Sequence, residues 1–312
     1  YGQVSIRGGS RGQVILNVDG INQSVDTNKG MASNPLSIDP LLVKQIEVIK
    51  GGGSVLYGSG GIGGVVVIRT KSVDDLLSGN HDHGGFVRTR YDSSDEAFHN
   101  GIGIYGRTSD TSFDYLITAD GYDSELDEGN VTKHTKNQSR NFAGKFGMNI
   151  DDDQRLQLNL KHSEREYTSA VVAPDNYDND SIQLTHELYR GDNINLKTNI
   201  SYAKIERRAA MTNARAGLQE SNVERYQFDT QNTHYLELGA SSHEITYGLS
   251  ALDTEQKGWV NGEVESFANA NGQRKEYGVF IQDTMNLGIV TATGALRYVN
   301  YNMDGTSSTS VN

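Results

Sequence analysis

The sequence contains no cysteine, only 3 prolines and no long apolar run, and each absence excludes a class of protein. Without cysteine there are no disulfides, thiolate metal sites or cysteine nucleophiles. No stretch approaches the roughly 18 apolar residues of a transmembrane helix, and the first residues are not a signal peptide. The net charge of -12, without a basic stripe, argues against nucleic acid as a partner. A membrane barrel is compatible with these absences, because each barrel strand shows only about ten residues of alternating hydrophobicity.

Beyond about residue 84, the sequence alternates apolar and polar residues with a period of two, as half-buried strands do. The clearest segment is 155–162, in which Leu156, Leu158 and Leu160 share one face. Its other face carries long polar side chains such as Lys161, which fit a wet lumen better than the interior of a soluble sandwich. About eleven such segments can be counted, which predicts a barrel or a sandwich.

The connections between these segments favour an outer-membrane barrel, because short turns alternate with long polar loops. We expect short turns at 108–112, 151–154, 191–193, 240–242 and 286–288. We expect long loops near 125–139, 170–181, 209–224 and 259–274.

The first 71 residues follow a different pattern, typical of a small mixed domain. A strand is expected from Gln13 to Val18 with a turn at Gly20. Asp39-Pro40 predicts a helical turn from Pro40 to about Lys44. The glycine-rich stretch from residue 45 to 70 predicts a strand at 46–49, a turn of helix at 54–57 and a strand at 65–68.

Two patterns that suggest ligand binding are rejected on their context. Gly58 to Gly63 matches the dinucleotide pattern G-x-G-x-x-G, but a strand follows it where the fingerprint requires a helix. The acidic runs 151–153 and 175–180 lack the spacing of a calcium loop, so we expect solvated turns there. The sequence therefore predicts no metal site and no catalytic residues.

Three short motifs occur in a characteristic order: Ile6-Arg-Gly8, Val18-Asp-Gly20 and Ile46-Glu-Val-Ile-Lys-Gly51. With the glycines that follow, they resemble the second half of the plug of TonB-dependent outer-membrane receptors. The resemblance implies an all-β transmembrane barrel with a small α+β plug inside, this chain holding about half of a roughly 22-stranded antiparallel barrel.

The same resemblance divides the chain into three parts. Residues 1–71 are expected to form the C-terminal part of the plug, 72–84 a linker, and 85–312 the N-terminal half of the barrel. The energy-coupling box and the C-terminal half-barrel are expected to lie outside this chain.

Within this family the pattern is most similar to haem and haemoglobin receptors, through Ile38-Asp-Pro40 and residues 56–60 and 71–77. This implies active uptake of an iron source across the bacterial outer membrane, with haem as the first candidate, no enzymatic activity and no prosthetic group. The expected partners are a TonB-type energy-coupling protein, haem or a haem-carrier protein, and outer-membrane lipid. The alternatives are a siderophore or cobalamin receptor of the same family and, from another class, a soluble β-structured binding or adhesion protein.

The resemblance also implies two sets of site residues. Those expected to contact the ligand are Lys29, Met31, His99 and His134, with the thioether of Met31 in the loop where the family usually has a haem-ligating histidine. Those expected to build the plug or lock it to the barrel are Arg7, Glu47, Lys50, Gly51, Ser54, Tyr57, Gly58, Gly63 and Gly64. Lys50 replaces the usual arginine. Lysine keeps the positive charge but cannot form the two parallel hydrogen bonds that arginine makes with a carboxylate, which weakens the expected lock.

Overall fold

Almost all of the described chain is β-structure, arranged in two sheets. The computed structural model describes residues 6, 13–23, 38, 42–50, 55–79, 81–94, 96–127, 134–168, 174–211, 217–261, 263–264 and 271–306. Within those residues, no helix has the length and apolar content needed to cross a membrane.

The N-terminal sheet has the strand order β2-β1-β4-β3, with β1 and β4 parallel and the other pairs antiparallel. Its strands are β1 (Val14–Val18), β2 (Ile21–Asn22), β3 (Val43–Ile49) and β4 (Gly64–Thr70). The central strand β4 is buried from Val65 to Ile68, as expected for a strand covered on both faces. Val14, Val18, Val66 and Ile68 form an apolar core with Ile6.

The strands predicted at 13–18, 46–49 and 65–68 are confirmed, and Val55 and Leu56 lie in a 3-10 turn as expected. The helical turn predicted from Pro40 to Lys44 is wrong at its C-terminal end, because β3 begins at Val43 and contains Lys44. Val43 pairs with Thr70 of β4, so pairing between distant segments overrides the local helix signal. Residues 39–41 lie outside the described residues.

The second sheet, here called the barrel sheet, contains eleven strands that pair antiparallel with their sequence neighbours, as predicted. A further short strand, β14, pairs only with β13. The strands are β5 (His83–Asp92), β6 (Ala97–Arg107), β7 (Phe113–Asp127), β8 (His134–Asn149), β9 (Gln154–Thr168), β10 (Asp175–Arg190), β11 (Ile194–Met211), β12 (Gly217–Leu238), β13 (Ser241–Val260), β14 (Glu263–Val264), β15 (Asn271–Leu287) and β16 (Val290–Thr306).

The short turns fall close to their predicted places, and two of them are displaced. The predicted turn at 240–242 lies at 239–240, and the one at 286–288 lies at 288–289. Gly239 and Gly288 have φ values of 63° and 59°, in the left-handed region that glycine adopts without strain. The glycine therefore sets the position of each turn.

The predicted long loops occur at their expected places in the chain but were predicted too long, because the strands continue into them: β7 reaches Asp127, and β10 begins at Asp175. Polar residues support this extension by pairing across strands. Asp175, expected in a solvated turn, is buried and accepts two hydrogen bonds of 2.8 Å from Arg207. Polar composition was a poor guide to loop length, since paired polar residues extend a sheet as well as apolar ones.

The two faces of the barrel sheet differ in polarity. Its inner face, which contacts the N-terminal sheet, buries polar side chains such as Gln183, Thr185 and Asn199. Its outer face exposes apolar ones such as Ile200 and Leu249. This inverted arrangement is that of a barrel with lipid outside and a polar lumen inside, as the sequence predicted.

Two exposed tyrosines on the outer face, Tyr277 and Tyr298, lie about ten residues from the nearest short turn. Ten residues of a tilted strand rise about 25 Å, which is the height of the apolar band of an outer-membrane barrel. These tyrosines therefore lie level with the border of that band that is farther from the short turns, and the strands continue past it.

Candidate functional site between the two sheets

The contact between the sheets is centred on one row of inner-face residues, which we call the seat row. Strand register places Lys145, Asn159, Gln183, Ser201 and Gln227 side by side across β8 to β12. All five point to the interior because they alternate with outward-facing neighbours.

The tight turn between β1 and β2, formed by Asp19 and Gly20, rests on this row. Both residues have positive φ, 50° and 95°, as in the type I′ turns that favour an Asp-Gly pair. The turn is held from within its own sheet, because Thr70 donates to the Asp19 carboxylate from both its backbone N (2.8 Å) and its hydroxyl (2.6 Å). Contacts within the N-terminal sheet therefore hold the Asp19 carboxylate, independently of the barrel sheet.

Three seat-row side chains bind the backbone and carboxylate of this turn. Gln183 Nε2 donates to Asp19 O at 2.9 Å, and Gln227 Nε2 donates to Gly20 O at 3.2 Å. Lys145 Nζ lies 3.1 Å from Asp19 Oδ2. A Cβ on Gly20 would stand 2.9 Å from Gln183 Nε2, and Gln183 is only 1% exposed, so the site requires glycine.

A second polar contact joins the glycine-rich segment to the last strands. Ser59 Oγ donates to Glu276 Oε2 at 2.6 Å, and Glu276 is also paired with Arg274. Arg297 Nη1 donates to Val55 O at 2.8 Å. The N-terminal sheet is therefore held against the wall by hydrogen bonds and ion pairs.

A cavity of about 110 Å³ lies next to the seat row. On each strand, the residue two positions from the seat-row residue, on the side away from the short turns, borders this cavity. We call these residues the open row. Its members are Ala143, Lys161, Ser181, Ala203 and Arg225, paired in register across β8 to β12.

The predicted plug residues that are described mainly serve packing within the N-terminal sheet. Gly64 has a φ of 136°, and a Cβ on it would lie 2.5 Å from Ile49 O, so only glycine fits. Gly63 N donates to Gln13 O at 2.7 Å. Gly58 also has positive φ, at 123°.

Tyr57, Glu47 and Lys50 differ in their surroundings. Burial raises the pKa of the Tyr57 hydroxyl, and the carboxylate of Glu47 raises it further against the opposing effect of Arg69. Glu47 itself lies 3.9 Å from Arg69. Lys50 is exposed and forms no ion pair with any residue that the structure describes. Arg7, Gly51 and Ser54 lie outside the described residues, so the expected lock through Arg7 and Lys50 stays a prediction.

Of the predicted ligand contacts, His99 is the one whose side chain is described. It lies on the inner face of β6, since Ile102 and Ile104 of that strand are exposed on the other face. Its ring centroid is 4.6 Å from that of Tyr122, and its Nε2 is 2.8 Å from Arg90 Nη2. His134 begins β8, but its side chain, like Lys29 and Met31, lies outside the described residues.

Comparisons with known proteins now identify this arrangement. Residues 1–65 match the TonB-dependent Receptor Plug Domain, and residues 74–312 match the family described as TonB dependent receptor-like, beta-barrel. The chain belongs to the TonB-dependent receptor family. The N-terminal sheet is accordingly part of the plug, and the barrel sheet is part of a barrel in the outer membrane of a Gram-negative bacterium.

Individual relatives of this receptor include proteins named for haem. A Hemin receptor of Yersinia pestis is 26% identical over 287 residues, which cover 86% of this chain and 41% of that protein. A Heme/hemopexin utilization protein C of Haemophilus influenzae is 32% identical over 185 residues, 59% of this chain and 25% of that protein. This receptor chain therefore spans less than half the length of the curated relatives it matches.

Solved structures share the fold at low sequence identity. The Serratia marcescens hemophore receptor HasR, solved with its hemophore HasA and heme, superposes with a TM-score of 0.83 at 21% identity. That match covers 96% of this chain and 46% of HasR. The siderophore receptor PirA of Acinetobacter baumannii gives 0.76 at 16% identity, covering 97% of this chain and 51% of PirA. The family consists of transport receptors, in agreement with the prediction that this protein is not an enzyme.

The seat row was missed by the sequence prediction. Period-two alternation places Lys145, Gln183 and Gln227 on an inner face, but dozens of polar residues share that property. Selecting these three requires the register between strands and the position of the plug turn, which depend on contacts between residues more than 120 positions apart along the chain.

Proposed function

We propose that this receptor takes up haem across the outer membrane in a TonB-dependent manner. The observation that carries the proposal is the pair of Yersinia hemin receptors, 26% and 27% identical, each matched over 86% of this chain. Haem would be the transported ligand and not a resident cofactor. A TonB-type energy-coupling protein and a haem source, either free haem or a carrier protein, are the proposed partners.

The polar nature of the plug contacts supports a plug that can be displaced. Each hydrogen bond from Gln183, Gln227 or Arg297 contributes a net of about 0.5–1.5 kcal/mol, because water replaces it when it breaks. A large apolar contact would resist separation more strongly. Force transmitted through TonB could therefore unseat the plug without unfolding the barrel.

We propose that His99 contacts the ligand near the extracellular end of the lumen, together with Lys29, Met31 and His134. His99 supports this role by its position: it faces inward close to Ala97, where β6 begins, far from the short turns. The neighbouring Tyr122 and Arg90 provide an aromatic face and a cation, both suited to a planar anionic ligand.

We also propose the boundaries 1–71 for the plug, 72–84 for the linker and 85–312 for the barrel. A short 3-10 turn, Val73–Asp75, lies at the start of the linker. Asp75 pairs with Lys44 of the plug at 2.7 Å, and Asp74 pairs with Arg107 of the barrel at 3.2 Å. Burial opposes ionisation of Asp75, but hydrogen bonds from Lys44 and Ser72 outweigh it and lower its pKa. At neutral pH these ion pairs therefore hold the linker against both the plug and the barrel.

Growth on haem tests the proposed function. The full-length receptor is expressed in an iron-starved Gram-negative strain that lacks its own haem receptor but keeps TonB. We expect growth on haem, abolished when TonB is deleted, and no growth with the empty vector. Growth only on ferric siderophores or dependence on cobalamin uptake would replace haem with one of those ligands.

A further inference from the structure

We propose that the open row forms a carboxylate-binding subsite on the route between the plug and the barrel wall. This inference rests on the proposed function, because it assigns how one part of the lumen recognises the anionic groups of the cargo. It concerns the cavity beside the plug turn, which is distinct from the predicted ligand contacts at the extracellular mouth.

The register of the strands explains why a cavity exists there. Ser181 and Ala203 are small, and they lie between Lys161 and Arg225 in the same cross-strand row. Three strand spacings separate the two cations, or about 14 Å. The wall therefore has a trough with a small-residue floor and a positive charge at each end.

The charges around this cavity favour an anion, although the whole chain carries a net charge of -12. Its lining includes two carboxylates, those of Asp19 and Asp120. Four cations line it: Lys71, Lys145, Lys161 and Arg225. The charge of Asp19 is already matched by Lys145 at 3.1 Å, which leaves an excess of positive charge toward Lys161 and Arg225.

Both end cations have unused binding capacity within the described part of the chain. Lys161 is half-buried and forms no hydrogen bond or ion pair there, although Asp120 and Asp19 attract its charge from a distance. Arg225 donates from Nη1 to Asn22 O at 2.6 Å, while its buried Nε has no partner. Buried cationic groups without partners are costly, and a bound carboxylate would satisfy them.

The size of the cavity is sufficient for an anionic group. A volume of about 110 Å³ is enough for several water molecules or for one carboxylate arm of a larger ligand. The plug turn on the seat row closes the side nearer the short turns. We infer that the trough receives an anionic arm of the cargo and that passage requires the plug turn to leave the seat row.

Uptake of two probes by the full-length receptor tests this subsite. The probes are haem, which has two carboxylates, and haem dimethyl ester, which has none. For Lys161→Met we expect the KM for haem uptake to rise at least about tenfold, as loss of one charge-assisted hydrogen bond gives, with ester uptake unchanged. Lys161→Arg should restore most haem uptake, because it keeps the charge.

A matched control is Lys204→Met on the outer face of β11, where Lys204 pairs with Glu206 at 2.7 Å; its uptake should equal that of the unmodified receptor. If the unmodified receptor imports haem but Lys161→Met does not change its KM, the subsite is refuted and the proposed function stands. An equal loss of haem and ester uptake also refutes it, since that indicates structural damage. If the unmodified receptor imports no haem, the proposed function itself fails.

Discussion

The plug sheet and the barrel sheet place their apolar residues on opposite sides. In the plug, Val66 and Ile68 face inward to an aliphatic core. In the barrel, Leu249 and Val279 face outward while Gln183 and Asn199 are buried inside. The same strand geometry therefore serves two environments, water around the plug and lipid around the barrel.

This difference explains how the two domains can be held together and still separate. The apolar residues of each domain pack in its own core or face lipid, and they do not need the other domain. The contact between the domains therefore consists of polar groups such as Asp19, Ser59 and Val55 O. Substitutions in the interior of the barrel, in the interior of the plug and in a turn that belongs to neither interior should therefore differ in their effects.

The largest effect is expected inside the barrel, at the buried pair of Arg207 and Asp175. Arg207→Met leaves the Asp175 carboxylate buried without its cation, which costs about 3–5 kcal/mol. Thermal unfolding of the full-length receptor in detergent should show a lower Tm. The double variant with Asp175→Asn should recover much of the loss, and equal instability of the single and double variants would contradict this explanation.

A smaller loss is expected inside the plug, where Val66 is 6% exposed. Val66→Ala removes two methyl groups from the core and should destabilise the plug by about 2 kcal/mol. Limited proteolysis should then cleave the plug sooner, with the barrel fragment unchanged. Val279→Ala, on the exposed outer face, is the control, and equal acceleration by both variants would argue against a separate plug core.

The smallest effect is expected in the short turn at Asp110, which is fully exposed. Hydrogen bonds from Thr108 and Ser112 lower its pKa to about 2. A lowered folded-state pKa gives stability that is present above the unfolded value near 3.8 and is lost as pH falls through about 2. The Tm difference between the unmodified receptor and Asp110→Asn should therefore be constant above about pH 4 and disappear near pH 2.

Asp152→Asn, in the next short turn, is the control for that pH profile, because Asp152 accepts no hydrogen bond from the described residues. A Tm difference for Asp110→Asn that persists unchanged down to pH 2 would show that the carboxylate does not supply the stability.

Local sequence patterns were enough to predict most plug strands and the eleven barrel strands, because the order of apolar and polar residues within a strand reflects which of its side chains are buried. Loop length was not predictable, since the pairing of Asp175 with Arg207 extends a hairpin through residues 32 positions apart. The seat row depends on even longer separations, such as Gly20 with Gln227. The strands, which depend on the sequence of one segment, were predicted. Loop lengths and the seat row, which depend on contacts between distant segments, were not.

The central claim is that the Asp19–Gly20 turn, seated on the inner wall, holds the plug in place. Hydrogen–deuterium exchange of the peptide covering residues 13–23 in full-length Gly20→Ala tests it most directly. The variant places a Cβ at a φ of 95° and 2.9 Å from Gln183 Nε2. Strain of about 1–2 kcal/mol should accelerate exchange in this peptide roughly 5–30-fold, with the barrel strands unchanged. Gly294→Ala, which has open space around it, should change nothing. Unaltered exchange of residues 13–23 in Gly20→Ala would contradict the account.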